Sequence, residues 1–511
     1  METIADNDFK QLIAKRAQTL LALTNYLSQS QSSDKILIRP LLGQLLWQYT
    51  QLEELLDAYY AASNCRWCLF RSLTAAIKLF ADVSYELLHI RHTLPLYRLL
   101  PIEQDFAKAT EQSLRFTGDV LLRTANQILN EADKLGLSIP QKTSREQSYA
   151  EYPPAGRLVH DCSRRRTETI SETVTLLATA FLNLAADTDH IHAAMRAQPE
   201  EYRSYVADSL SEEKLRSLEL RFHNLQSQYD TYVSGREAES LDVDLPVLRG
   251  HISVVFHLLR TATFFAHYYE RHVNKPTCDI LAHQEPLVSS EALLAILMDY
   301  SITFISYYIV SAKHLCQRML KRYTEIGRIE APIPQYRGFH VRPSTLISKI
   351  VLHYGSGVQM ELENESYDAG AALELFRANE KINARKRRWL AEEIARLKLV
   401  PEQSDDRNIG AIVREVILAL TQRSKLILYE QPLQLPEEHE QKQGTLLEQV
   451  IDEIARLQAT GKIDTDINLN VMFVGDKRVL ADIKLLADSG YGEDSFGNNI
   501  ALPQELNYLR R

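Results

Sequence analysis

The stretch GFHVRPST, Gly338 to Thr345, sets a histidine, an arginine and a proline close together in a chain that otherwise reads as mostly helical. Pro343 has no N–H to waste, and its φ is preset for helix, so it suits a first turn. That puts His340 and Arg342 at the mouth of the helix that starts there. The unpaired N–H groups of a helix start, and the positive end of its dipole, favour an anion. Arg342 adds a permanent cation whose forked donors match phosphate oxygens. A neutral imidazole in that setting is a nucleophile, and the same surroundings would hold its phosphorylated form. The octet points to a histidine that accepts a phosphoryl group. A loop histidine bonded to the backbone is the plain alternative, and the octet alone does not separate the two.

Outward from the octet the grammar changes on either side. After Gly327, Val358, Met360 and Leu362 alternate with Gln359, Glu361 and Glu363, the two-residue period of a half-buried strand. A second short strand is expected over Ser366–Asp368, a third over Leu426–Tyr429, and a further alternation runs through Ile467, Leu469, Val471 and Phe473. Amphipathic helices lie between: Leu346, Ile347, Ile350 and Val351 share one face, as do Leu447, Val450, Ile451, Ile454 and Leu457. Before Gly327 the apolar spacing is helical throughout, with Ser290 as a candidate cap. Residues 139–163, with Pro140, Pro153, Pro154 and Gly156, read as a linker or long loop. The expected organisation is a helical domain at 1–138, that linker, a helical bundle at 164–327 and an α+β domain at 328–511.

With these elements in place, GFHVRPST resembles the active-site signature of HPr, the histidine-containing phosphocarrier of the bacterial sugar phosphotransferase system. Phe339 departs from that pattern, which has an aliphatic residue there. The resemblance runs over residues 329–460. Ile329–Ile333 resembles the first strand, Pro343–Tyr354 the first helix, Val358–Asp368 the hairpin and Ala371–Glu380 a short second helix. Leu426–Tyr429 and Thr445–Leu457 would be the fourth strand and third helix, if a two-helix insertion at Asn383–Gln422 is allowed. An extra strand and tail at 461–511 would follow. The fold so implied is an open-faced α+β sandwich joined to an all-α N-terminal two-thirds.

Carried over, the resemblance makes His340 the phosphoacceptor, with Arg342 beside it and the backbone N–H groups of Val341 and Arg342 steadying the phosphoryl group. Leu373 and Phe376 fall on the helix face that family members present to partners; contact with the inserted helices is the other reading. The regulatory serine of some family members falls on Ala371, which has no hydroxyl. The implied donor is enzyme I, charged from phosphoenolpyruvate, and the acceptor is an unknown protein.

Composition bounds the rest. A chain of 511 residues suggests about three domains. The net charge of -9 argues against a general nucleic-acid coat. The basic run Arg385–Arg388, beside Trp389, reads as a solvated helix face with ion pairs to Glu392 and Glu393. Five scattered cysteines imply no disulfide framework, and the N-terminus lacks a signal-peptide pattern, so a cytoplasmic location is expected. Ala292–Ala312 is apolar for about a bilayer's thickness. Asp299 near its middle favours a buried helix over a span.

Cys65-x-x-Cys68 and Glu86-x-x-His89 have metal spacing without the further ligands that a site needs. Asp189–His192 and His267–His272 also lack assignable partners. No metal or cofactor is expected, and no Walker loop, dinucleotide fingerprint or nucleophile elbow occurs. Gly475–Arg478 and Gly490–Asp494 are turn-rich and polar, with no mechanism attached. The expected function is phosphoryl acceptance on His340 as a carrier or phospho-sensor, with the helices as effector. The alternatives are an HPr-like binding module that is never phosphorylated, and an enzyme in the helical region regulated by that module.

Overall fold

Helical spacing in the front of the chain produces helices where the apolar periodicity lies. In this computed structural model the described residues are 3–30, 32–140, 170–234, 239, 242–274, 286–401, 408–430, 433 and 444–510. Residues 141–163 of the expected linker lie outside them. The helices of the first compact unit, Met1–Met319, are α1 (Asp6–Arg16), α2 (Gln18–Ser28), α3 (Arg39–Ala58), α4 (Cys68–Thr93), α5 (Phe106–Lys134), α6 (Ile170–Ala186), α7 (Asp189–Ala194), α8 (Tyr202–Ala207), α9 (Glu212–Tyr232), α10 (Leu245–Tyr268), α11 (Ser290–Ala295) and α12 (Thr303–Tyr323). Asp105 caps α5 by accepting from the Lys108 N–H, and Ser289, rather than Ser290, caps α11 by accepting from the Ala292 N–H.

The helices before and after the 139–163 stretch are not separate bodies. Glu86 on α4 meets His257 on α10 at 2.7 Å, and Tyr97 bonds Ser253 at 2.7 Å. The expected split into 1–138 and 164–327 therefore gives way to one unit. The run Ser290–Tyr323 is continuous helix, π-helical over Ile296–Ile302, and long and apolar enough to cross a bilayer. Of its most apolar window, 72% is buried inside the fold.

The second unit, Leu320–Arg511, is built on a four-stranded antiparallel sheet. Its strands are β1 (Ile326–Pro332), β2 (Val358–Leu362), β3 (Glu365–Asp368) and β6 (Asn470–Asp476), in the order β1-β6-β2-β3. The alternation that marked β2 turns Val358, Met360 and Leu362 inward. β6 supplies Val471 and Phe473 to the same core. Gly475 sits where β6 meets β2: a Cβ there would lie 2.7 Å from the Gly357 carbonyl oxygen, so the register requires glycine. Against this core pack α13 (Val341–Tyr354), the first half of α14 (Ala372–Arg396) and α17 (Lys477–Asp488).

Leu426–Tyr429 and Thr445–Leu457 do not supply the fourth strand and third helix of this sheet. β4 (Leu426–Leu428) pairs only with β5 (Ile463–Thr465). With the second half of α14, α15 (Ile409–Gln422) and α16 (Leu446–Ala459), these strands enclose a separate apolar core around Leu390, Val413, Val416, Val450 and Ile454. The fourth strand of the main sheet is β6, and the helix after it is α17. α14 does not stop at Glu380 but runs on to Arg396, 25 residues in all, and its second half reaches the second core. The excursion between β3 and β6 therefore runs from the second half of α14 to Leu469, well past Gln422. It holds two strands as well as helices.

Candidate functional site

Pro343 sits in the first turn of α13, as its missing N–H allows, and His340 is the residue that caps this helix. The N–H groups of Val341 and Arg342 open the helix, where no carbonyl of the helix accepts from them. The loop leading in is tightly held. Gly338 adopts φ +63°, and a Cβ on it would lie 2.2 Å from Asn379 Oδ1. Asn379, buried on α14, accepts from the Phe339 N–H at 3.0 Å and donates to the Arg337 carbonyl at 3.0 Å. Ser344 Oγ donates back to the Phe339 carbonyl at 2.9 Å. The bonds to the Phe339 N–H and carbonyl satisfy groups that would otherwise be buried unpaired.

The imidazole of His340 is partly buried. Its Nδ1 lies 3.0 Å from the Gly338 carbonyl oxygen, and Tyr336 meets the ring edge-on at 5.3 Å. Its Nε2 lies 3.1 Å from Glu493 Oε2, while Glu493 Oε1 stands 3.7 Å from Arg342 Nε. The carboxylate of Glu493 therefore lies against both His340 and Arg342, with its side chain only 7% exposed. Neither Glu493 Oε2 nor Arg342 Nε makes an aligned hydrogen bond among the described residues.

Glu493 is carried by the segment that follows α17. Tyr491 in that segment is buried, donates its hydroxyl to the Pro332 carbonyl at 2.6 Å and meets Phe339 edge-on at 5.9 Å. This contact gives the aromatic Phe339 a physical role, since its ring is wedged between Tyr491 and Phe473. Beyond Glu493, Asp494 folds its own loop by accepting from the N–H groups of Phe496 and Asn498. The Asn498 side chain and these backbone donors hold the Asp494 carboxyl below its usual range.

The sequence brings His340, Val341 and Arg342 to one place, and the structure adds Glu493, Asn379 and Tyr336. Leu373 is 77% exposed on α14, while Phe376 is half-buried on the same helix. Ala371 caps α14 without a side-chain bond. The basic run is not one solvated face. Lys386 is buried, with its Nζ 2.8 Å from Asp464 Oδ2, while Arg385 and Arg388 stay outside. A cleft of about 270 Å³ opens beside this pair, lined by Pro332, Ile333, Lys386, Asp466, Asn468 and Tyr491 among others.

In the helical unit, Glu86 commits its carboxylate to His257 Nδ1 and to Arg260, at 3.1 Å, and His89 meets His257 with the rings tilted and their centroids 4.1 Å apart. Burial pushes Glu86 up, but the His257 bond and the Arg260 charge outweigh it and leave the carboxyl below its usual range. His192 Nδ1 is 2.6 Å from Ser306 Oγ. Cys65 is free and exposed, whereas Cys68 is disulfide-bonded. Among the described residues no three His, Cys, Asp or Glu side chains gather as metal ligands.

No protein-family model, no curated protein and no solved structure matches this chain at a significant level.

Proposed function

We propose that the second unit is an HPr-like phosphoacceptor module, a carrier or phospho-sensor whose acceptor is His340. The observation that carries this reading is the drawing of a carboxylate, Glu493, to the mouth of α13, where it lies against both His340 and Arg342. A helix start beside a guanidinium attracts an anion, and here an anion has settled on it. The element order lends further support. A strand, a helix, a hairpin, a helix, a strand and a helix follow one another as the resemblance implies, once β6 and α17 take the last two places. The helices also cover one face of the sheet, as an open-faced sandwich requires.

In the step itself, a ring nitrogen of His340 directs its lone pair at phosphorus, and the donor's bond to that phosphorus breaks. The phosphoryl group moves without any redox partner. Arg342 and the N–H groups of Val341 and Arg342 take up the charge of its oxygens. The donor class is an enzyme I-type phosphoprotein, and the acceptor is a protein that reads or relays the group. Leu373, exposed on α14, belongs to the face offered to these partners, and Phe376 backs it.

One observation favours a second reading, a binding module that is never phosphorylated: both ring nitrogens of His340 face oxygen acceptors at rest. Incubation with labelled phosphoenolpyruvate and a bacterial enzyme I decides between them. The phosphoacceptor reading requires acid-labile, base-stable label on the intact chain and none on His340→Ala. Unlabelled wild-type protein, even with the enzyme I of its own source, would leave the binding module.

A further inference from the structure

We propose that Glu493 is the resting occupant of the phosphoryl site, and that phosphorylation of His340 expels it together with the segment that carries it. The inference rests on the phosphoacceptor reading and adds the means by which the modified state is read.

The first argument is chemical. Glu493 Oε2 and Arg342 Nε are both buried, and neither has an aligned hydrogen-bond partner among the described residues. Burying a carboxylate oxygen without a bond is unfavourable, so the fold of the 489–500 segment must hold this one in place. A phosphoryl group carries more charge and three acceptor oxygens. It can bond the Arg342 guanidinium and the helix-start N–H groups together, which the misaligned carboxylate does not do. The site is shaped for the larger anion and holds the smaller one.

The second argument is spatial. Glu493 Oε2 is 3.1 Å from Nε2, so an anion bound at this ring and the carboxylate compete for the same cations. Two anions at such separations repel one another strongly unless one withdraws.

The third concerns what would move. Gly490, Tyr491, Gly492 and Gly497 all have positive φ, and for Tyr491 that conformation is strained. Backbone at Gly492 lies under the Arg342 guanidinium, 3.4 Å from where a Cβ would stand. Gly490 and Tyr491 form part of the wall of the 270 Å³ cleft. Withdrawal of Glu493 therefore loosens the Tyr491 anchor and reshapes the cleft, which turns a charge change at His340 into a change of surface. Phe339 fits this arrangement, because its ring meets Tyr491.

The test uses the full chain with Glu493→Gln, which keeps the side-chain shape, and Glu493→Ala as a second variant. Inorganic phosphate is titrated against selectively labelled histidine, and the His340 ring signals are followed. Both variants are expected to bind phosphate about tenfold more tightly, the order expected for removing one nearby charge in a wet site. They are also expected to take label from enzyme I about tenfold faster. In the wild type, hydrogen exchange across 489–500 should rise on phosphorylation; in Glu493→Gln it should already be high. Unchanged phosphate affinity in both variants, with exchange in 489–500 indifferent to phosphorylation, overturns the proposal. If His340 takes no label in any variant, the phosphoacceptor reading falls by itself. The phosphate titration still decides whether Glu493 holds the anion site, a gain upholding that part and no gain removing it.

Discussion

Asn379 holds the approach to His340 with two bonds, one from each end of its amide. Its replacement by alanine strands the buried Phe339 N–H and frees the loop that sets the imidazole. Leaving one buried donor unpaired costs about 1–3 kcal/mol. The urea midpoint of the second unit should fall accordingly, and transfer of label to His340 should slow, because the ring loses its fixed approach. Asn379→Ala with a wild-type midpoint and rate would remove the amide from this role. At this scale the sequence was partly legible. His340, Arg342 and Pro343 announce themselves because their chemistry is local: a proline start, a cation and a nucleophile within four residues. Asn379 and Glu493 carry no such mark. Asn379 reaches the octet from 39 residues past His340, and Glu493 from far beyond it, so only the folded chain shows the pairing. The Gly490–Asp494 stretch stood out as turn-rich, which located the carrier of Glu493 without disclosing its target.

At the scale of elements, the α13 helix and the β2–β3 hairpin follow directly from apolar spacing. The alternation over Ile467–Phe473 marked the strand that became β6. Its place in the sheet was not legible, because Leu426–Tyr429 offered an equally apolar strand much nearer in sequence. Loop-closure entropy grows only slowly with length, so a long excursion between β3 and β6 carries little extra penalty and leaves no trace in local pattern. The same blindness hid Lys386. In a run of four basic residues only burial distinguishes the one that turns inward, where it meets Asp464 with both side chains at most 5% exposed. That pair ties α14 to β5 beneath the second core. Lys386→Met leaves Asp464 as an uncompensated buried charge, a change that costs about 3–5 kcal/mol. The double variant Lys386→Met with Asp464→Leu should recover most of the loss. Chemical denaturation of the four members of the cycle gives the coupling directly. Additive losses would show that the two side chains do not act as a pair.

For the whole molecule, buried titratable groups set how the first unit meets acid. The first unit buries histidines in its helical core. Burial pushes His251 and His89 down to about 4 and His272 to about 3, so each is neutral when folded yet protonated, once unfolded, below about 6.5. Their contribution is present above that value and is lost as pH falls toward the folded values. Asp82 acts against them: burial raises it to about 6, so it binds a proton when folded that it would release when unfolded. Its contribution favours the fold at low pH and is lost as pH rises from about 4 to 6. Burial also raises the Glu219 carboxyl, but three histidines outweigh these two acids, so stability of the Met1–Met319 unit should fall as pH drops from 6.5 to 4, with net proton uptake on unfolding. Trp67, only 1% exposed in that unit, reports the transition by fluorescence once Trp389 in the second unit is replaced by phenylalanine. A thermal midpoint that rises on acidification would mean that the two acids dominate. Replacing Asp82 by asparagine should steepen the acid loss, because it removes an opposing group, and a histidine-to-glutamine change at His251 should flatten it.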